Sequence, residues 1–238
     1  MPLIAKLLWP ARCAACNVFV PEGEAFCQNC SLSVSWLDGA VCSGCGLPLP
    51  ESAHDRCPGC CVQPFPFSKV WPVMAYGGSL TEAILHLKHG RRRHLARPLG
   101  ALMAPFVARA LYGGIDTLCA VPLHPRRLRQ RGFNQALDLL REAVRLARPS
   151  GRRATTIVDG LRRIRDTPSL GTKSPASRRR TVAGAFVVRK PGQFRDRRIL
   201  LFDDVMTTGA TLSECARVLR HAGATEVQVI VLARALFS

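Results

Sequence analysis

Apolar residues recur along this chain at two spacings, one of strands and one of helices. The plainest strand is Arg198-Ile-Leu-Leu-Phe-Asp203, a compact apolar run closed by charge. Ala210 to His221 follows at helical spacing, with Gly223 as its stop, and Val227-Gln-Val-Ile-Val-Leu232 is a second strand. A strand, a helix and a strand of these lengths form a βαβ unit, which predicts an α/β fold with a mainly parallel sheet. Upstream, Val70 to Tyr76 reads as a first strand, with Pro72 favouring a sheet edge. Leu80, Ile84 and Leu87 share one helical face ahead of Gly90. The same reading predicts helices over 94–111 and 134–147, a strand over 115–121 and a short strand over 155–158. The span 160–181 is polar and too long for a simple connector, the length of a functional lid or a disordered loop.

The first 61 residues follow neither spacing. They hold four Cys-x-x-Cys pairs, Cys13/Cys16, Cys27/Cys30, Cys42/Cys45 and Cys57/Cys60, with Cys61 adjoining the last. Two residues between thiolates let a tight turn aim both sulfurs at one cation, and two such knuckles complete a tetrahedral Cys₄ zinc site. Eight thiolates predict two structural zinc ions per chain, with no position open for catalysis. Sequential pairing joins Cys13, Cys16, Cys27 and Cys30, then Cys42, Cys45, Cys57 and Cys60; spacing leaves an interleaved pairing open. An iron–sulfur cluster and redox dithiols are the competing readings, the first disfavoured by the spacing. A segment this short needs such staples to fold. It is expected to form a small module over residues 1–64. Gln63-Pro-Phe-Pro-Phe67 serves as a stiff linker to a second domain over 65–238. Cys119 and Cys215 stand alone in apolar or helical stretches and are expected to be buried and inert.

Charge divides the chain at the same place. The formal net charge is +18, yet residues 1–64 carry −2, so the remainder carries +20. A basic domain attracts phosphate-bearing partners, although an arginine-rich composition alone would produce the same count. No stretch approaches the ~20 apolar residues of a membrane span. No signal-peptide cleavage site follows Met1 to Trp9, and the expected compartment is the cytoplasm, where thiols stay reduced.

Chemistry concentrates where the strand ending at Asp203 meets the next helix. Asp203 and Asp204 close the strand, and Thr207-Thr208-Gly209-Ala210-Thr211 turns into the helix. Small residues let backbone N–H groups approach an anion, the threonines add hydroxyl donors, and the helix start adds partial positive charge. This is a phosphate cradle without the Gly-Lys-Ser/Thr ending of a P-loop. Two carboxylates beside it make sense if they accept bonds from hydroxyls or hold Mg²⁺. A sugar phosphate with a vicinal diol meets both demands.

The run Ile199 to Thr211 resembles the phosphoribosyl-pyrophosphate (PRPP) motif of type I phosphoribosyltransferases. The four Cys-x-x-Cys pairs, Val121-Pro-Leu-His-Pro125 and Arg131-Gly-Phe-Asn-Gln135, followed by this motif, resemble the ComF family of competence and GntX-like proteins over nearly the full length. The resemblance implies a double zinc ribbon followed by a type I phosphoribosyltransferase-like sheet with helices on both faces. It implies that Asp203 and Asp204 bind the ribose hydroxyls and Thr207 to Thr211 the 5′-phosphate, with Mg²⁺ accompanying PRPP. Leu123 and His124 would belong to a pyrophosphate loop, and Arg131 and Asn134 would face the same cleft. Taken alone, Arg131-Gly-Phe-Asn-Gln135 also has a plain structural reading, a helix start with Asn134 as its cap, and its position among the other motifs favours the functional one. Arg165, Thr167, Ser169 and Arg178 to Arg180 fit the family's flexible loop in outline. Leu170 stands where a glutamine is common, and Thr181 where an asparagine is.

In the fold so implied, a nitrogen nucleophile attacks C1 of PRPP and pyrophosphate leaves, with the protein positioning and stabilising charge. Members that use 6-oxopurines commonly carry Asp where Thr207 stands here, and a threonine is no base near neutral pH. The resemblance therefore argues against hypoxanthine or guanine as acceptor and leaves His124 the nearby group of suitable pKa. Two function classes follow: a PRPP-using enzyme, and an accessory protein that handles incoming single-stranded DNA with the DNA-uptake machinery. Aromatic residues make up 6% of the chain, too few for extensive base stacking, and Trp9, Trp36 and Trp71 are expected to pack.

Overall fold

The structure, a computed structural model, describes residues 10–51, 55–89, 92–147, 155–167 and 175–236. Its centre is a five-stranded sheet in the order β1-β7-β6-β2-β3, built from β1 (Lys69–Ala75), β2 (Thr117–Ala120), β3 (Thr156–Val158), β6 (Arg198–Met206) and β7 (Glu226–Arg234). Every neighbouring pair in it is parallel. Alternation along β6 sends Leu200 and Phe202 to one face and Ile199 and Leu201 to the other. The first face packs under α3 (Gly78–His89), α4 (Ala96–Tyr112) and α6 (Gln135–Ala147), through Leu80, Ile84, Leu99, Met103, Leu139 and Leu140. The second packs under α8 (Ala210–His221), through Leu212, Cys215, Ala216 and Leu219. A strand sandwiched this way is apolar at successive positions, which is why 199–202 carries no polar residue.

The span 160–181 contains more order than a lid. Leu161–Arg163 (β4) pairs antiparallel with Phe186–Val188 (β5), and α7 (Pro175–Val182) lies between them in sequence. Phe186 and Phe194 plug this hairpin into the second core face. Ser169 and Leu170 lie outside the described residues, as do Trp9 and Gly90.

The Cys-rich segment carries the short helices α1 (Gln28–Ser31) and α2 (Pro58–Val62) and docks along β1. Pro72 does sit on an edge strand, and the outer rim of that strand is covered. Val70 N–H donates to Ser43 O (2.7 Å), Leu37 N–H to Val73 O (3.0 Å) and Ala75 N–H to Ser35 O (2.8 Å). Covering an edge this way removes a template for unwanted strand pairing. Gly46, at φ +71°, lies against Val70 and Pro72, where a Cβ would come within 3.1 Å. The linker is not a free spacer: Phe65 and Phe67 stack at 4.9 Å, and Phe67 is buried in the second core face.

Candidate functional site

Four short peptide turns hold the cysteines in two sets, Cys13, Cys16, Cys27, Cys30 and Cys42, Cys45, Cys57, Cys60. The pairing is sequential. Tetrahedral zinc with Zn–S near 2.3 Å puts its sulfurs about 3.8 Å apart. Cys16 and Cys27 lie 3.6 Å apart and Cys45 and Cys57 3.7 Å apart, so both sets fit the ion. Burial opposes ionisation of Cys13, but backbone N–H groups of Cys16, Cys27 and Ala15 outweigh it and bring the thiol down to about 6. Cys42 is brought down to about 7 against its burial, with Cys57 N–H donating to its sulfur at 3.2 Å. Burial and the neighbouring thiols act the other way on Cys45 and Cys60 and raise both, so within each set one thiol gives up its proton first and a bound cation favours the ionised form of the rest. Cys119 and Cys215 are buried, and burial raises both, Cys119 to about 12.

The acid pair stands at the carboxyl end of β6, in the crevice where parallel α/β sheets bind ligands. Asp203 Oδ1 accepts from Asp204 N–H (2.9 Å), and Asp204 Oδ1 from Val205 N–H (3.0 Å). Lys88, at the end of α3, brings Nζ to 2.7 Å from Asp204 Oδ2. Burial and the charge of Asp204 push the Asp203 carboxyl well above the ordinary value. Burial works the same way on Asp204, but Lys88, then the hydrogen bond with Asp203 and then Arg131 outweigh it and hold that carboxyl low. Two adjacent carboxyls thus differ in proton affinity.

Thr207 to Thr211 wraps a small recess that Asp203 also lines. Gly209 sits at φ +74°, the left-handed entry to α8, and a Cβ there would lie 2.8 Å from both Phe65 Cε1 and Met206 Cε. Only glycine satisfies both the backbone and the ring beneath it. The Thr208 hydroxyl is buried without a hydrogen-bond partner. An orphaned donor of this kind costs about 1–3 kcal/mol, which an arriving oxyanion would recover.

Arg131 is half-buried, feels the charges of Asp204 and Asp203, and donates to Gln135 Oε1 at 3.0 Å. Asn134 spends its amide on the scaffold: Nδ2 donates to Val121 O (3.0 Å), and Oδ1 accepts from Ala136 N–H (3.1 Å). It is the cap of α6 and the tie to the loop after β2. His124 caps α5 (Pro125–Arg131), its Nδ1 accepting from Arg126 N–H at 3.3 Å, and Leu123 beside it is half-buried. Arg165 is exposed and donates to Ala183 O at 2.5 Å, whereas Arg178 is buried.

Lys88 and Arg163 escape the sequence reading. Arg163 is buried on β4, bonds Thr167 Oγ1, lies over the Phe186 ring at 5.4 Å and feels the charge of Asp203. Arg127 fastens the same turn from α5, donating to Thr167 O at 2.6 Å. Lys88 is one basic residue among several ending an amphipathic helix, and only the chain's path over β6 turns it toward Asp204. A strand alternation Leu161-Arg-Arg163 could have flagged Arg163 as inward-facing.

A family model described as "Double zinc ribbon domain" matches residues 4–61, and one described as "Phosphoribosyl transferase domain" matches residues 139–236. The chain is 34% identical to DNA utilization protein YhgH of Escherichia coli O157:H7, over 95% of this chain and 98% of that protein. It is 29% identical to competence protein F of Haemophilus influenzae, over 94% and 97%. It is 26% identical to competence protein ComFC of Streptococcus pneumoniae, over 83% and 89%. No described helix is long and apolar enough to cross a membrane.

Proposed function

The chain belongs to the ComF family of double-zinc-ribbon, phosphoribosyltransferase-domain proteins, and from that premise we propose that it binds PRPP with Mg²⁺ and handles incoming single-stranded DNA. The observation that carries the first half is the orphaned Thr208 hydroxyl, buried in a glycine-gated loop beside two carboxylates of unequal proton affinity. Thr207 to Thr211 would hold the 5′-phosphate, and Asp203 and Asp204 the ribose diol and, directly or through water, Mg²⁺. Arg131 and the arginines of α5 supply countercharge for pyrophosphate from the neighbouring loop, with Leu123 and His124 shaping that loop. The two functional parts meet near residue 64, where the linker leaves the zinc module.

The second half rests on the +20 carried by residues 65–238 and on relatives named for competence and DNA utilization. Arg126, Arg129, Arg179 and Arg180 are exposed and can neutralise phosphates of a strand. The alternative is a phosphoribosyltransferase of nucleotide metabolism with no DNA role, and the cleft would serve it equally. Calorimetric titration with PRPP and Mg²⁺, repeated on Asp204→Ala, tests the ligand; unchanged affinity in the variant rejects the assignment. A salt series of single-stranded DNA binding tests the partner, and absence of binding at low salt leaves the metabolic reading.

A further inference from the structure

Arg234 ends β7 at 4% exposure, one of the most buried charged groups described. It reaches two places at once. Nε donates to Cys45 O at 2.6 Å, inside the second cysteine set. One terminal nitrogen donates to Thr207 O at 2.7 Å, with Met206 O at 3.3 Å and Ala235 O also within reach. The sulfurs of Cys45, Cys60 and Cys42 are among the groups that bear on its charge. Zinc with four thiolates is a dianion, so a loaded second site places negative charge beside this buried guanidinium. A second contact runs in parallel: Phe65, which packs against the Cys42, Cys45 and Cys60 cluster, also lies under Gly209. No such contact joins the first cysteine set to the loop among the described residues; that set abuts α3 instead, where His86 Nδ1 meets Ala14 O at 3.0 Å.

We infer that the second zinc site is part of the phosphate loop's support: Arg234 is a positioning residue that transmits the order of the Cys42–Cys60 site to Thr207 to Thr211. Loss of that metal loosens the loop, whereas loss of the first metal does not. The inference deepens the PRPP reading of this loop, yet the ordering of the loop can be measured without that ligand.

The test compares matched knuckle variants of the full chain, Cys57→Ser for the second site and Cys27→Ser for the first, each at the N-terminus of its short helix. Backbone amide exchange over residues 207–211 is read without ligand, and PRPP–Mg²⁺ affinity by calorimetry. Cys57→Ser should speed exchange and weaken affinity about tenfold, the order of one charge-assisted hydrogen bond lost to the loop. Cys27→Ser should leave both unchanged. Arg234→Met, with zinc content intact, should reproduce the Cys57→Ser effects, and Arg234→Lys should restore part of them. Combining Arg234→Met with Cys57→Ser should add little, which two independent structural losses would not do. Equal effects of the two cysteine variants, or additive losses in the double variant, overturn the inference. If Cys57→Ser does not fold, Arg234→Met and Arg234→Lys decide it by the same exchange readout. If the unaltered protein binds no PRPP, the proposed ligand falls while the exchange comparison still stands.

Discussion

Lys88 Nζ lies 2.7 Å from Asp204 Oδ2, and the pair joins the end of α3 to the acid pair at the end of β6. Asp204 is almost fully buried and Lys88 about one-fifth exposed, so the pair sits between a surface contact and a core one. Lys88→Met would strand a buried carboxylate. We expect a loss of about 1–3 kcal/mol, below the figure for a fully buried pair because solvent reaches the ammonium. The urea midpoint measures it, and Asp204→Asn added to Lys88→Met should recover most of the loss. An unchanged midpoint would show the ion pair to be idle.

The unequal carboxyls predict proton release on binding. Asp203 has a raised folded value, so its neutral form stabilises the fold at low pH, and that contribution is lost as pH rises through the raised value. Asp204 is depressed, so its contribution is present above the unfolded value and lost as pH falls through the folded one. A cation arriving at the pair favours the ionised form of both and expels the proton of Asp203. Calorimetry with PRPP and Mg²⁺ in two buffers of different ionisation enthalpy should give heats that differ in the sense of release. Equal heats in mildly acidic solution would contradict it.

Gly209→Ala meets two penalties at once. The left-handed backbone costs a non-glycine residue about 1–2 kcal/mol, and the new Cβ meets the Phe65 ring at 2.8 Å. We expect a lower melting temperature together with lost ligand affinity. Phe65→Ala should relieve the steric part and leave the backbone part. A fully stable Gly209→Ala would mean that the loop adopts another path.

Metal analysis of protein purified without added zinc should return two equivalents per chain, since each cysteine set gathers its four sulfurs within 4.8 Å of one another. Chelation should unfold the two cysteine sets and the turns that carry them and, through the uncovered rim of β1, promote aggregation, seen as light scattering. One equivalent, or iron with visible absorbance, would contradict the pairing.

Single-stranded DNA and PRPP should compete if they share the arginines around the cleft, chiefly Arg131 and the arginines of α5 and α7. Fluorescence anisotropy of labelled DNA, with and without excess PRPP, measures this. Independent binding would place the strand on another face, such as the basic end of α3.

The zinc chemistry and the parallel sheet were legible from spacing because each depends on near neighbours in the chain. Cys-x-x-Cys brings two ligands together within one turn, and the short apolar run 199–202, closed by charge and followed by a helical run, reads as a strand buried on both sides. The acid pair and the threonine loop were legible for the same reason, lying within nine residues at one strand–helix junction, from Asp203 to Thr211. Asn134 shows the limit. Its pattern fitted a cleft residue as well as a helix cap, and only the fold shows its amide bonded to Val121 O and Ala136 N–H.

What spacing could not reveal are partnerships across long stretches of chain. Lys88 meets Asp204, Arg163 feels Asp203, and Arg234 meets Cys45, and each pair owes its meeting to a helix or strand crossing that closes only when the core packs. A charge costs too much to bury alone, so these cations had to find acids or carbonyls, but local pattern carries no record of which ones. Residue type and order set the two zinc knuckle sets, the sheet and the loop from Thr207 to Thr211. Packing of the zinc module along β1 chose which buried arginine would tie the second of those sets to the loop.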